Sequence, residues 1–325
     1  MRLLLAHLLM LVVLAGPAFS ERDPIRLTHG PMLGNPTANS VRVWARTSDP
    51  GEFSVRYGVR PLRLKQASGG VVTAIENDNT GVVELTKLKS NQRYHYQVYI
   101  EDRPHGLPGS FLTLPAAEDT RNDEYNPKGL FNFRFEVGSC ANQNPRHGLG
   151  HRQPVYENLN KDWARKTHFH IMNGDWLYEE LREYPVEGWR LRSGVEKLPR
   201  AVEVMPTVVG VWENYKLYLD RGDELSKWHR HVPSYFTFDD HELVNDIWGA
   251  GTAGKRHRRT VFRDIGTYAW YNYLGWANPT EDDNALHFGR AAMKKGSTLL
   301  VDESADFTKL PLKEMLNLHV HWGTK

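Results

Sequence analysis

Three short apolar runs, each stopping at residues able to bind a metal ion, constrain this chain more than any other feature. Phe131–Val137 alternates apolar and polar residues and ends at Gly138, Ser139 and Cys140. Thr167–Met172 ends at Asn173, Gly174 and Asp175, with Tyr178 shortly after. Val232–Phe238 ends at Asp239, Asp240, His241 and Glu242, with Asn245 just beyond. Short apolar runs bounded by such residues read as strands. Between the first two, Val155, Leu159 and Trp163 fall at helical spacing, which predicts a helix over Pro154–Lys166. Strand, helix, strand is a βαβ unit and calls for a parallel pair. Ligands of open α/β sheets bind beyond the carboxyl ends of strands, which is where all three polar clusters fall. Further helices are predicted over Glu213–Trp228 and Thr260–Leu274.

The preceding stretch has a different texture. Ser40–Arg46, Phe53–Tyr57 and Arg93–Ile100 alternate with period two, and turn residues separate them: Gly34, Asn35 and Pro36; Asp49, Pro50 and Gly51; Gly69 and Gly70; Asn77, Asp78 and Asn79. Regular short strands with turns between them predict an antiparallel β-sandwich over residues 25–115. The segment Leu88–Tyr96 resembles the tyrosine corner of fibronectin type III-like domains, where a Tyr hydroxyl bonds back to nearby backbone. Residues 115–130 are polar and Pro-bearing and read as a linker. A chain of 325 residues has the size of about two domains, so the α/β domain is expected over 130–325.

The first twenty residues bear on compartment. Arg2 precedes the apolar run Leu3–Ala15, Gly16 and Pro17 break any helix, and Ala18 and Ser20 offer small residues for cleavage before Glu21. This predicts a signal peptide over residues 1–20; the run is short of the ~20 residues that span a bilayer. No later stretch is long and apolar enough to span. The expected location is therefore secreted or periplasmic. Cys140 is the single cysteine, so no internal disulfide framework is possible. A lone thiol in an oxidising compartment is either a buried small hydrophobe or a metal-bound thiolate shielded by coordination. A net charge of +2 gives no electrostatic ground for a nucleic-acid or membrane partner. Charged and hydrophobic contents of 25% and 40% are those of a folded globular chain.

Taken singly, each candidate has a plainer role. Asp175 could cap a helix, Asp239 and Asp240 could form a turn, His241 could lie on the surface, and Tyr178 could belong to the core. Their joint occurrence at three strand ends favours a metal site. The order Gly174-Asp175 to Tyr178, then Asp239-Asp240-His241-Glu242, resembles calcineurin-like metallophosphoesterases. Phe135–Cys140, Asn173–Glu179, Pro233–Glu242 and Asn245-Asp246 are similar to the narrower alkaline phosphatase D family, as are Thr28–Gly34 and Val43–Arg46 in the sandwich. The likeness runs from about residue 25 to about 280. It implies an α/β (α+β) metallophosphoesterase domain preceded by an all-β fibronectin III-like sandwich. It also implies that Cys140, Asp175 and Tyr178 hold Fe3+, a donor set suited to a strongly Lewis-acidic trivalent ion. Asp175 would bridge to a second site, where Ca2+ is expected and Zn2+ or Mn2+ are the alternatives. Asp240 would be a ligand there, with Asp239 close by. His241 would stabilise phosphate oxygens or protonate the leaving alcohol. The implied substrate is a phosphate monoester or diester.

One departure from that pattern leaves two functional readings open. No later Gly-Asp-x-His-like block completes a second metal shell, and the sequence reads as ending partway through the domain; residues 281–318 match the family poorly. The chain is thus expected to be a phosphoesterase or, in the other reading, a non-catalytic secreted fragment or pseudoenzyme with a binding role. His319 and His321 alternate on one strand face, as zinc-binding strands do, yet a third His would have to follow on a neighbouring strand. The run Lys255, Arg256, His257, Arg258 and Arg259 reads as a solvated loop, or as a phosphate-steering patch if it lies beside an anion site.

Overall fold

The computed structural model describes residues 23–146, 148, 150–181, 183–242, 245, 258–279, 289–303, 306 and 308. The signal-peptide segment, Asp246, Lys255 to His257, His319 and His321 lie outside the described residues, and of Arg258 and Arg259 only the helical backbone is described. The first eight strands are β1 (Leu27–Gly34), β2 (Val41–Thr47), β3 (Glu52–Gly58), β4 (Gln66–Ala67), β5 (Val71–Val72), β6 (Thr80–Leu85), β7 (Arg93–Ile100) and β8 (Arg103–Leu112). They pair antiparallel in two layers, β6-β2-β1 and β4-β3-β7-β8, with β5 on β3. The sandwich core is Leu33, Val41, Val43, Val83 and Leu85 from one layer against Phe53, Val55, Tyr96, Val98 and Phe111 from the other. Alternation of side chains along each strand supplies this one-sided burial. Tyr94 makes the corner bond, its hydroxyl accepting from Lys89 N at 2.9 Å.

The remaining elements are α1 (Ala117–Thr120), β9 (Phe135–Gly138), α2 (Pro154–Asp162), β10 (Phe169–Asn173), α3 (Val186–Arg192), α4 (Arg200–Val204), α5 (Val208–Arg221), α6 (Asp223–His231), β11 (Ser234–Thr237), α7 (Arg258–Tyr273) and the short pair β12 (Ala292–Met293) and β13 (Leu300–Val301). β9, β10 and β11 are parallel neighbours in the order β11-β10-β9, as the βαβ reading requires. Several boundaries differ from the sequence expectation, among them the end of α2 at Asp162 rather than Lys166 and the following two. The helix expected over Glu213–Trp228 is two helices, broken at Gly222, where a side chain would meet Gln143 Nε2 at 2.5 Å and Tyr218 O at 2.7 Å. The first strand of the α/β region begins at Phe135, because residues 131–134 run outside the sheet.

The two regions share a sheet. β1 pairs parallel with β11 at Gly34 and Ser234, giving the six-strand order β6-β2-β1-β11-β10-β9. β2 serves two cores at once: Val43 faces the sandwich, while Trp44 packs among the α/β aromatics. Trp44 donates Nε1 to Asn272 O at 2.8 Å and stacks on Trp276 at 6.5 Å between centroids. Gly34 approaches Ala277 so closely that an added Cβ would lie 2.4 Å from the alanine's own. Beneath this junction Asp78 is fully buried between Arg46 at 3.1 Å and Lys216 at 3.2 Å, and accepts from the Tyr273 hydroxyl. Burial alone would push its carboxyl up, but the Lys216 and Arg46 charges outweigh that and hold it down to about 2. The aromatic load of the sequence goes here: Trp176, Trp212, Tyr215, Tyr218 and Trp228 are all fully buried.

The β9–β10–β11 segment is covered on one face only. His170, Met172, Ser234 and Phe236 are buried on the side where Tyr156 of α2 and Trp228 and His229 of α6 pack. On the other side Phe133, Phe135 and Phe169 form a continuous aromatic row, and Phe135 and Val137 are half exposed. No described element covers that face.

Candidate active site

Parallel pairing brings the carboxyl ends of β9, β10 and β11 to one edge, in register at Met172 with Gly138 and Asn173 with Thr237. The chain then turns sharply at each of the first two ends. Cys140 and Asp175 both adopt left-handed backbone, at φ 60° and 55°, and Gly174 lies at φ 79°. Such conformations cost a non-glycine residue about 1–2 kcal/mol and persist where surrounding bonds fix them. Here Cys140 N donates to Gly174 O at 3.2 Å and Ala141 N to Asp175 O at 2.8 Å. A side chain at Gly174 would sit 2.6 Å from Asp239 Cβ, so only glycine lets the β10 and β11 ends approach this closely.

Four of the sequence-derived candidates cluster around Asp175. Its Oδ2 accepts from the Cys140 thiol at 3.3 Å and from the Tyr178 hydroxyl at 3.1 Å. Its Oδ1 is buried and has no hydrogen-bond partner among the described residues. Donor atoms of Asp175, Asp240 and His241 lie within 4.8 Å of one another. Asp239 is placed differently: its Oδ1 accepts from Asp240 N at 2.9 Å, capping the short turn Asp240–Glu242, and it is outside that donor group. The Tyr178 phenol is pushed above its ordinary value by burial first, then by the neighbouring Cys140 and Asp175.

Two carboxylates that the sequence reading left without roles hold this cluster. Glu179 Oε2 sits 2.7 Å from His241 Nδ1, and its other oxygen accepts from Asn245 N. The His241 ring also packs against Tyr178, with centroids 3.9 Å apart and the planes tilted by 34°. Burial lowers the imidazole's affinity for a proton, but Glu179, Asp175 and Asp240 together raise it above the ordinary histidine value. Glu242 is fully buried and accepts from the main-chain N–H groups of Asp175 at 3.0 Å, Asp239 at 2.7 Å and Trp176. Burial pushes its carboxyl up to about 7 against those three donors. Asp239 to Glu242 has the spacing of a capping box, in which an acidic side chain reaches back to the turn's first N–H; that signal was present in the sequence. Nothing comparable in sequence pairs Glu179 with His241.

The residues present suit metal ions. A thiol, a phenol and a carboxylate converge on one point, and no lysine or arginine is bonded to them among the described residues. A buried carboxylate oxygen without a donor is costly, and a cation at that point would satisfy it. A thiol and phenol beside carboxylates and an imidazole are together a donor set able to hold metal ions.

Comparison with known proteins bears on the same region. Residues 135–293 match the PhoD-like phosphatases, and residues 14–115 match the PhoD-like phosphatase N-terminal domain. No curated protein matches the sequence. A solved structure of PhoD is 20% identical, with a TM-score of 0.57 over 85% of this chain. That likeness is one of fold, and the chain spans about half of its length, 51%. A purple acid phosphatase, PPD1 from yellow lupin (Lupinus luteus) seeds, is 13% identical over 78% of this chain and 41% of its own, with a TM-score of 0.45. A fibronectin type III domain of human collagen XX is 22% identical over 30% of this chain and 99% of its own, with a TM-score of 0.20.

Proposed function

Because the chain belongs to the PhoD-like phosphatase family, we propose that it is a metal-dependent phosphoesterase acting on phosphate monoesters, diesters or both. The observation that carries this reading is the convergence on Asp175: Cys140 and Tyr178 share its Oδ2, while its buried Oδ1, beside Asp240 and His241, has no hydrogen-bond partner among the described residues. Cys140, Asp175 and Tyr178 would hold Fe3+, and Asp175 with Asp240 would hold Ca2+, with Zn2+ or Mn2+ as alternatives. Asp239 would stand beside them as a further ligand, its Oδ1 also accepting from Asp240 N. Bound there, the ions supply Lewis acidity to a phosphoryl group and acidify a water.

The chain's own residues supply the rest. Glu179 at Nδ1 fixes the tautomer and orientation of His241, so chemistry at the ring runs through Nε2. In that pose His241 hands a proton to the departing alkoxide, and packing against Tyr178 keeps the ring from turning away. The Asp239 cap and the Glu242 bonds hold Asp240 and His241 at the strand edge. The leader-like residues 1–20 support export as the setting for this activity.

The test is hydrolysis of p-nitrophenyl phosphate and bis-p-nitrophenyl phosphate by the purified chain, before and after chelation. The expected result is turnover that chelation abolishes and added metal restores. Turnover indifferent to chelation would overturn metal dependence. Absence of turnover under every metal would favour the non-catalytic binding reading.

A further inference from the structure

We propose that Glu242 is a positioning residue that sets the spacing between the two halves of the metal site, an inference that rests on the metal-dependent reading above. Its carboxylate accepts from the main chain beyond both strand ends. Through Oε2 it accepts from Asp175 N after β10 and from Asp239 N after β11, and through Oε1 from Trp176 N. Three main-chain donors on one fully buried carboxylate leave it little freedom to shift.

The consequence falls on Asp175. Its main-chain N–H is held by Glu242, and its C=O is held by Ala141 N at 2.8 Å. The Asp175 backbone is therefore pinned from the β11 side and from the β9 side at once, in a left-handed conformation that is costly for a residue other than glycine. On the opposite side of the same contact Gly174 abuts Asp239, so the two strand ends are pressed together by shape and tied together by Glu242. The donor atoms of Asp175 on one end and Asp240 and His241 on the other owe their approach within 4.8 Å to this tie. A local cap would need only the bond to Asp239 N; the bonds to Asp175 N and Trp176 N reach across to another strand.

The test is Glu242→Gln, which keeps the shape but replaces one acceptor oxygen with an NH2 group that faces main-chain N–H. Zn2+ is the probe, its affinity read by equilibrium dialysis of the full chain. Ser234→Ala is the control, because Ser234 is equally buried and bonds His229, away from the strand ends. Glu242→Gln is expected to weaken Zn2+ binding by about 10–100-fold, the usual effect of losing an outer-shell partner, and Ser234→Ala to leave it unchanged at a comparable loss of Tm. If Glu242→Gln does not fold, Glu242→Asp takes its place; it keeps the charge, withdraws it by one methylene, and must show the same selective loss. Unchanged affinity in the folded Glu242 variant, or an equal loss in Ser234→Ala, would overturn the inference while leaving the metal site standing. A wild-type chain that binds no Zn2+, Fe3+ or Ca2+ would overturn the metal-dependent reading and this inference with it.

Discussion

The ring of His241 is held from two sides, by Glu179 at Nδ1 and by the Tyr178 face. A proton donor so placed matters in proportion to how badly the leaving group needs a proton. His241→Gln should therefore lower kcat by roughly 10²–10⁴-fold on an alkyl phosphate, the usual worth of general acid catalysis. The loss should be smaller on p-nitrophenyl phosphate, whose leaving group departs as a stable anion. Equal losses on both substrates would assign His241 to metal or phosphate binding instead. The same residue shows where sequence reading stops. Its candidacy was legible from the Asp-Asp-His-Glu order, but its partner was not, since Glu179 and His241 are far apart in the chain and meet only because β10 and β11 are neighbours.

At the level of elements, the three strands and the βαβ crossover were legible because alternation and helical spacing are local signals. The break between α5 and α6 was not. Glu213–Trp228 keeps good helical composition, and what ends the first helix is the approach of Gln143 from another part of the fold at Gly222. Asp239, a candidate ligand with Asp240, begins the short turn after β11, where its Oδ1 accepts from Asp240 N. α6 carries a further consequence. His229 is fully buried, with Nε2 accepting from Trp176 Nε1 at 3.0 Å and Nδ1 at 2.8 Å from Ser234 Oγ. Burial drives its proton affinity well below the ordinary value, and burial with the Arg230 charge takes His231 down to about 4. A folded-state pKa below the unfolded one means that the unfolded chain binds more protons at acid pH. The contribution of these two histidines to stability should therefore be full above about pH 6.5 and be lost progressively as pH drops toward 4, while Glu242, pushed up to about 7, and His241, also raised, contribute in the opposite sense. Asp78, held down to about 2, adds to the same loss only as the pH approaches 4, where the unfolded carboxyl begins to take up protons. Urea midpoints at pH 7 and pH 5 for the wild type beside His231→Asn check this, and the variant should lose less stability than the wild type on acidification. An identical pH dependence in the two proteins would contradict the assignment.

For the whole molecule, the sandwich and the α/β region are joined by one sheet, and β2 is a wall of both cores. Two consecutive domains were the natural reading of the chain, because a polar linker separates the two textures; a strand pair such as β1 with β11, some two hundred residues apart in sequence, leaves no local trace. The same sheet has a parallel segment with an apolar face that no described element covers. Parallel sheets are ordinarily buried on both faces, and contiguous exposed apolar patches favour association. The double variant Phe133→Ser with Phe135→Ser should therefore bind less of a hydrophobic reporter dye and scatter less light at high protein concentration, with little change in Tm. Unchanged dye binding would show that the row is not an exposed surface in solution.

The central claim is that Asp175 organises a metal site from three strand ends. Elemental analysis of the purified wild-type chain beside Asp175→Asn tests it most directly. The account predicts iron near one per chain in the wild type and a folded variant, by circular dichroism, that retains none. Stoichiometric metal retained in Asp175→Asn, or a wild type that takes up none when iron and calcium are supplied, would contradict it.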